Sequence, residues 1–207
     1  MGRDAAGFDL IATRIFAPIY PVIAERLLSW SKKREGICVD LGTGPGLLAI
    51  AVAGASSMTV AALDIDPQML TFAAGHIRDA GLSGRVAPAL ADVHHLPFSD
   101  NTVDLFVSRG SIFYWDDRAR VFSEVHRALA PGGAAYLGGS FGTAALRQEI
   151  FERMRTKNPH WDRDVARRSA RIPPETMLCD LEAAGIPHAG IKKEETGFWV
   201  EITKPDL

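Results

Sequence analysis

Val39-Asp40-Leu41-Gly42-Thr43-Gly44-Pro45-Gly46 is the stretch from which the rest of the chain is read. Residues 36–41 have a strand pattern, and three glycines at alternate positions let another group approach the backbone closely. Residues 46–54 then read as a helix whose free N–H groups face the loop. Such a strand–turn–helix unit binds the polar part of a nucleotide-like ligand. A second strand over 59–64 ends in Asp64, about 20 residues beyond the loop, where an acid holds ribose hydroxyls. Two details separate the loop from the dinucleotide fingerprint. Its spacing is G-x-G-x-G rather than G-x-G-x-x-G, and Asp40 stands just before the first glycine. A carboxylate there repels a pyrophosphate but attracts an ammonium group, so the loop suits a zwitterionic ligand tail better than a doubly negative one.

Outward from this unit, short strand-like runs alternate with helical stretches, which implies a parallel sheet covered by helices. Asp66-Pro67 opens a helix over 67–80 with a capping carboxylate followed by proline, and Gly81 stops it. Strands are expected over 85–91, 103–108 and 134–140, the first an edge or bulged strand because of Pro88. Helices are expected over 116–129, 142–157 and 173–184, with Pro131-Gly132-Gly133 breaking the first of them before the fifth strand. The runs 189–193 and 198–203, on either side of Glu194-Glu195-Thr196-Gly197, read as an antiparallel hairpin. The third strand leads into Asp92. Asp40, Asp64 and Asp92 therefore fall at the carboxyl ends of strands, where open α/β sheets bind ligands, and suit an ammonium, a ribose diol and an adenine amine in turn.

Composition narrows the class. The 207 residues are 47% hydrophobic and 23% charged, with a net charge of −2. That balance argues against a mainly electrostatic nucleic-acid or membrane binder. No apolar run reaches the roughly 18 residues of a membrane span. Residues 1–7 carry mixed charge rather than a secretory signal, so a cytoplasmic, single-domain protein is the expectation. Cys38 and Cys179 lie in apolar runs and read as buried thiols. Neither they nor His94, His95 and His126 have a metal-ligand spacing, so no metal is expected.

With these motifs assembled, the chain resembles a class I S-adenosylmethionine-dependent methyltransferase of the small-molecule type. The matching segments are Val39 to Gly46, Ala62-Leu63-Asp64-Ile65-Asp66-Pro67-Gln68-Met69-Leu70, and Ala91-Asp92-Val93-His94-His95-Leu96-Pro97-Phe98. Val103 to Ser108 and Leu129-Ala130-Pro131-Gly132-Gly133 follow in family order, so the likeness covers about residues 36–140. The resemblance implies a doubly wound, Rossmann-like α/β fold, its mostly parallel seven-stranded sheet finished by a C-terminal antiparallel hairpin. It implies S-adenosylmethionine as cofactor, S-adenosylhomocysteine as product, and in-line methyl transfer to a small molecule. By that likeness Gly42 and Gly44 line the methionine part, Asp64 takes the ribose, and Asp92 takes the adenine amine with the Val93 N–H on the ring. Asp40, Thr43, Ile65, Met69 and Ser108 complete the expected cofactor set. Residues 1–35 are expected as a helical lid, with Tyr20 its cofactor contact. Residues 36–140 are the cofactor core, 141–172 a helical substrate-side insertion, and 173–207 the last helix and hairpin.

The acceptor side is less marked. Methyl transfer needs a general base only where the nucleophile must lose a proton, so catalytic candidates are few. Arg109, in Ser108-Arg109-Gly110-Ser111, either steers an anionic substrate group or caps and solvates the surface. Phe113-Tyr114-Trp115 either walls an apolar pocket or docks the following helix. His95, beside His94, is a candidate base near neutral pH, with solvation its plain alternative. Arg109, His95 and Tyr114 are thus the catalytic candidates. Asp66 reads as a helix cap and Asp104 as a support for loop geometry.

Residues 147–171 hold eight arginines and lysines against four acids, which suits an acidic substrate or partner, or else a solvated helix face. The expected partner is a small molecule, an anionic one where this basic segment contacts it, and nucleic acid is disfavoured because no N-P-P-Y tetrad follows the fourth strand. Two other functions stay open: a non-catalytic module that binds S-adenosylmethionine, and an NAD-dependent oxidoreductase. The methylated atom and the choice between monomer and homodimer are open as well.

Overall fold

The computed structural model describes residues 4–206. Five strands carry the parallel part of one sheet: β1 (Ile37–Leu41), β2 (Thr59–Asp64), β3 (Val86–Leu90), β4 (Val103–Arg109) and β5 (Leu129–Gly139). The terminal hairpin adds β6 (Ala189–Glu194) and β7 (Gly197–Thr203). The order across the sheet is β3-β2-β1-β4-β5-β7-β6, with β7 antiparallel to both of its neighbours. This is the expected seven-stranded, doubly wound α/β sheet.

Central parallel strands are covered on both faces, so their residues are apolar on both and sort by a period of two. Cys38, Leu105, Val107 and Tyr136 face one core, while Val39, Phe106, Ala135 and Leu137 face the other. Burial pushes the Cys38 thiol well above its ordinary pKa. The first core receives α2 (Ile19–Ser31), α3 (Leu47–Gly54), α4 (Pro67–Asp79), α6 (Ala144–Lys157) and the start of α7 (Trp161–Arg171). The second receives α5 (Arg118–Ala128) and α8 (Pro174–Ala183). The N-terminal segment is α1 (Ala5–Ile11) and a π-helical turn (Ala12–Phe16), meeting α2 at a 75° bend. Pro18 caps α2 and Pro21 sits in its first turn, where the missing N–H has no partner to lose. Arg26 of α2 reaches Glu194 of the hairpin at 2.5 Å and donates to the Gly142 carbonyl at 2.8 Å, tying the leader to the sheet.

The expected elements appear with three corrections. The fifth strand starts at Leu129, not at 134, and α5 stops at Ala128. Pro131-Gly132-Gly133 does not break a helix; it is an irregularity within β5, taken up by a register shift against Val103 and Leu105. A Cβ at Gly133 would lie 2.8 Å from the Ala130 carbonyl, so the shift needs glycine. After β5 come two helices, α6 and α7, separated at Asn158-Pro159-His160. Cys179 is exposed on α8, because the apolar run around it contributes only Met177 and Leu181 to the core. Pro88 lies in the edge strand, where its missing donor breaks no ladder to a second neighbour. Asp66 accepts from Gln68 N and Asp104 from Ile37 N, the structural roles read for both.

The hairpin seats on β5 only because glycine permits it. A Cβ on Gly197 would fall 1.8 Å from the Gly139 carbonyl oxygen, a backbone atom that cannot swing away. Gly197→Ala should therefore lower stability by about 2 kcal/mol and the melting temperature by roughly 4–8 °C. A thermal melt matching the wild type would remove this account of the β5–β7 contact.

Candidate functional site

The strand order reverses between β1 and β4, and in open α/β sheets the cleft outside the carboxyl ends at that point takes the ligand. Gly42, Gly44 and Gly46 have φ of +65°, +55° and +83°, conformations that L side chains rarely adopt. A Cβ at Gly42 would meet Ser111 at 2.4 Å. Ser111 in turn donates to the Leu41 carbonyl and shares a 2.6 Å hydrogen bond with buried Ser108, so the end of β4 sets the height of the glycine loop. Ser108 thus supports the loop through Ser111.

Asp40 is the most unusual residue in the cleft. It is 1% exposed, and one carboxylate oxygen accepts from the Thr43 hydroxyl at 2.7 Å. The other oxygen, Oδ1, is buried with no hydrogen-bond partner. Burial pushes its pKa up to about 7; hydrogen bonding from Thr43 and from the Ala49 backbone opposes this, and the neighbouring Asp64 carboxylate adds to it. Period two places Asp40 on the α2 face of the sheet together with Arg109, since Asp40 pairs with Val107 of β4. Tyr20 of α2 comes down between them. Its hydroxyl is hydrogen-bonded to Arg109 and lies near Asp40, and burial above all raises its pKa.

Asp64 accepts from Gly44 N at 2.8 Å and from Asp66 N at 2.9 Å, bridging the loop to the end of β2. Each oxygen keeps a lone pair for a further donor. Ile65 beside it is 68% exposed, an apolar side chain standing out of the cleft wall, whereas Met69 is buried at the start of α4. Asp92 accepts from both the backbone N–H and the ring Nδ1 of His94, at 2.9 and 2.6 Å. Those two hydrogen bonds hold its carboxyl below the ordinary pKa. Val93 is half-buried next to it, and His95 is exposed.

The leader closes the far side of the loop. A Cβ at Gly44 would touch Phe8 of α1 at 3.4 Å. Asp9 faces His76 of α4 at 3.4 Å, and the other ring nitrogen of His76 donates to the Pro45 carbonyl at 2.8 Å. Phe8, Asp9 and His76 carry no motif in the sequence. The first two join the loop only because the 75° bend folds α1 back over it.

The aromatic triplet does not wall the cleft as a unit. Trp115 is buried in the second core, Phe113 packs edge-on against Phe198 at 6.1 Å, and Tyr114 is 52% exposed. The aromatic cluster that meets Arg109 is instead Phe16, Phe141, Phe151 and Trp161, whose centroids lie 5.3–6.3 Å apart in successive contacts. These residues belong to four segments spread over 145 sequence positions, so no local pattern could group them. Among the described residues no group of three or more His, Cys, Asp or Glu is placed to hold a metal ion.

Comparison with known proteins bears on this geometry. A family model described as a methyltransferase domain matches residues 39–137. A solved structure from Methanococcus maripaludis, assigned as an S-adenosyl-L-methionine-dependent methyltransferase, is 40% identical. It superposes with a TM-score of 0.93 over 98% of this chain and 93% of that one. Methyltransferase GfsG of Streptomyces halstedii is 35% identical over 95 residues, 46% of this chain and 34% of that protein. Ribosomal protein L11 methyltransferase of Pelotomaculum thermopropionicum is 29% identical over 177 residues, 86% of this chain and 46% of that protein. The chain thus spans less than half the length of these two curated relatives.

Proposed function

Because the chain belongs to the class I S-adenosylmethionine-dependent methyltransferases, we propose that it methylates a small-molecule acceptor at the cleft between β1 and β4. The family's cofactor fits the residues present. The observation that carries the reading is Asp40 Oδ1, a buried carboxylate oxygen without a partner beside a glycine loop. A cationic ligand end supplies the missing complement. Gly42, Thr43 and Gly44 would border the methionine part, with Tyr20 closing over it from α2. Asp64 would take the ribose hydroxyls on its spare lone pairs, and Ile65 and Met69 would border the nucleoside. Asp92, already oriented by His94, would take the adenine amine with Val93 N–H on the ring. When bound, S-adenosylmethionine supplies the methyl group on a sulfonium leaving group. The chain's own task is to hold the acceptor in line and exclude water.

The leader and α6–α7 form the proposed lid and substrate-side cap, since Phe8, Phe16, Tyr20 and Trp161 all lie on the same face as Asp40. That enclosure supports a small acceptor. A protein acceptor, such as the one named for the L11 methyltransferase, would need an open rim. Of the three catalytic candidates, Arg109 alone lies deep in the cleft; His95 and Tyr114 are exposed, and neither is assigned a role. Among the described residues no single helix is long and apolar enough to cross a membrane. Two free cysteines suit a reducing compartment, and the cytoplasm is the proposed location.

The test is calorimetric titration with S-adenosylmethionine, S-adenosylhomocysteine and NAD. Micromolar binding of both adenosyl ligands and none of NAD is expected. Binding of NAD alone would overturn the proposal. Adenosyl binding without turnover on any small acceptor would favour the non-catalytic module.

A further inference from the structure

Arg109 is held in an unusual way for a buried-side guanidinium. Its Cζ lies 4.9 Å from the Phe16 ring centroid and 5.4 Å from that of Phe141. Its Nε donates to the Ser140 carbonyl at 3.3 Å, and a further donor meets the Tyr20 hydroxyl. A guanidinium has five N–H donors, so most of the fork remains to be used. Among the described residues no carboxylate forms an ion pair with it.

A second cation, Arg168, lies within electrostatic reach. Trp161, Val165 and Arg168 follow at positions i, i+4 and i+7 of α7, which is one helix face. Trp161 and Val165 of that face pack on the first core beside Phe16. Arg168 lies two turns along and also makes no ion pair among the described residues. Burial, and then Arg168 against the opposing effect of Tyr20, holds the Arg109 pKa below its ordinary value. The Trp161 indole adds one more unused donor: the residue is 8% exposed and its Nε1 is buried with no hydrogen-bond partner. Arg109, with part of its fork unused, and the buried indole of Trp161 thus both border Phe16, and Arg168 stands exposed on the helix face that carries Trp161. A buried donor left unpaired is costly, and an oxyanion would satisfy the indole N–H and the free guanidinium N–H groups together.

We infer that Arg109, Arg168 and Trp161 form an anion subsite for a carboxylate carried on an apolar or aromatic acceptor, whose body lies against Phe16, Phe141 and Phe151. This rests on the small-molecule methyl-transfer reading and states what class of molecule that acceptor is. Arg109 and Trp161 grip the acid, and Arg168 closes over it from α7. The acid end is thereby fixed on the α2 face, and the nucleophilic end is turned toward the glycine loop.

The experiment uses fluorine NMR on the protein saturated with S-adenosylhomocysteine, with 4-fluorobenzoate as the probe and 4-fluorobenzyl alcohol as its neutral counterpart. The acid should broaden on adding protein and the alcohol should not. Arg168→Ala, Trp161→Phe and Arg109→Lys should each weaken the acid about five- to tenfold, and Arg168→Ala and Trp161→Phe should bind S-adenosylhomocysteine as the wild type does. Arg168 is exposed, so its variant tests the subsite without disturbing the core. Equal binding of acid and alcohol, or unchanged acid binding in all three variants, would overturn the subsite alone. So would Arg109→Lys weakening S-adenosylhomocysteine instead of the acid, which would assign the guanidinium to the cofactor's own carboxylate. Failure of S-adenosylhomocysteine to bind the wild type would strike the underlying methyltransferase reading instead.

Discussion

Asp64→Ala should lower the affinity for S-adenosylhomocysteine by roughly 100-fold. The proposed ribose diol donates two hydrogen bonds to an ionised acceptor, worth together about 3 kcal/mol once the exchange with water is counted. The side chain also accepts from Gly44 N and Asp66 N, so its removal leaves the glycine loop without its bridge to β2. Both effects act on the same equilibrium, and calorimetry reads their sum. A thermal melt separates them, because loop release without ligand lowers the melting temperature whereas loss of ribose contacts does not. A dissociation constant within threefold of the wild type would show that the ligand does not reach Asp64.

The second large effect is a pH dependence that runs opposite to that of most acids. Asp40 titrates at about 7 in the folded, ligand-free protein and near 3.8 when unfolded. Between those values the folded chain holds a proton that the unfolded chain has released. This contribution to stability is complete below the unfolded pKa and is lost as pH rises through 7, by about 1.4 kcal/mol per unit and roughly 4 kcal/mol in all. Asp40→Asn carries no such proton, so between pH 4 and 7 its stability should lack this decline, and at pH 8 it should exceed that of the wild type.

Ligand binding inverts the comparison. A sulfonium and ammonium beside Asp40 favour the carboxylate, so wild-type affinity for S-adenosylmethionine should rise between pH 5 and 7, with a proton released on binding. The Asn variant should bind more weakly at pH 8 and with little dependence on pH. Melts at pH 5 and 8, with titrations in two buffers of different ionisation enthalpy, measure both parts. The same pH slope in Asp40→Asn as in the wild type would place the titrating group elsewhere.

The glycine loop and the strand-end acids were legible because their signals are local. A glycine loop needs positive φ at fixed offsets, and strand-end acids fall where a period-two strand stops, so adjacent residues report both. Asp66 was read as a helix cap for the same reason, since it bonds within its own turn, whereas the partner of Asp104, Ile37 N, lies 67 residues away and is supplied by the sheet. The start of β5 was misplaced because Pro131-Gly132-Gly133 punctuates a helix as readily as a bulge, and only the pairing with β4 distinguishes them. The aromatic triplet was ambiguous in a similar way, and Trp115 takes the docking role against α5. Its three rings are neighbours in sequence but point to three different environments along a short 3₁₀ turn.

By itself, the sequence determined the sheet, its closing hairpin and the three acids along its rim, because hydrophobic periodicity and turn chemistry act over a few residues. Tertiary structure alone decided that Asp40 loses its water and one hydrogen-bond partner, since that depends on α2 and Tyr20 packing over β1. It alone brought Phe8 to Gly44, and gathered Phe16, Arg109, Phe141 and Trp161 into one cluster. Burial and convergence are properties of chain segments far apart in sequence, and no local pattern encodes the distance between them.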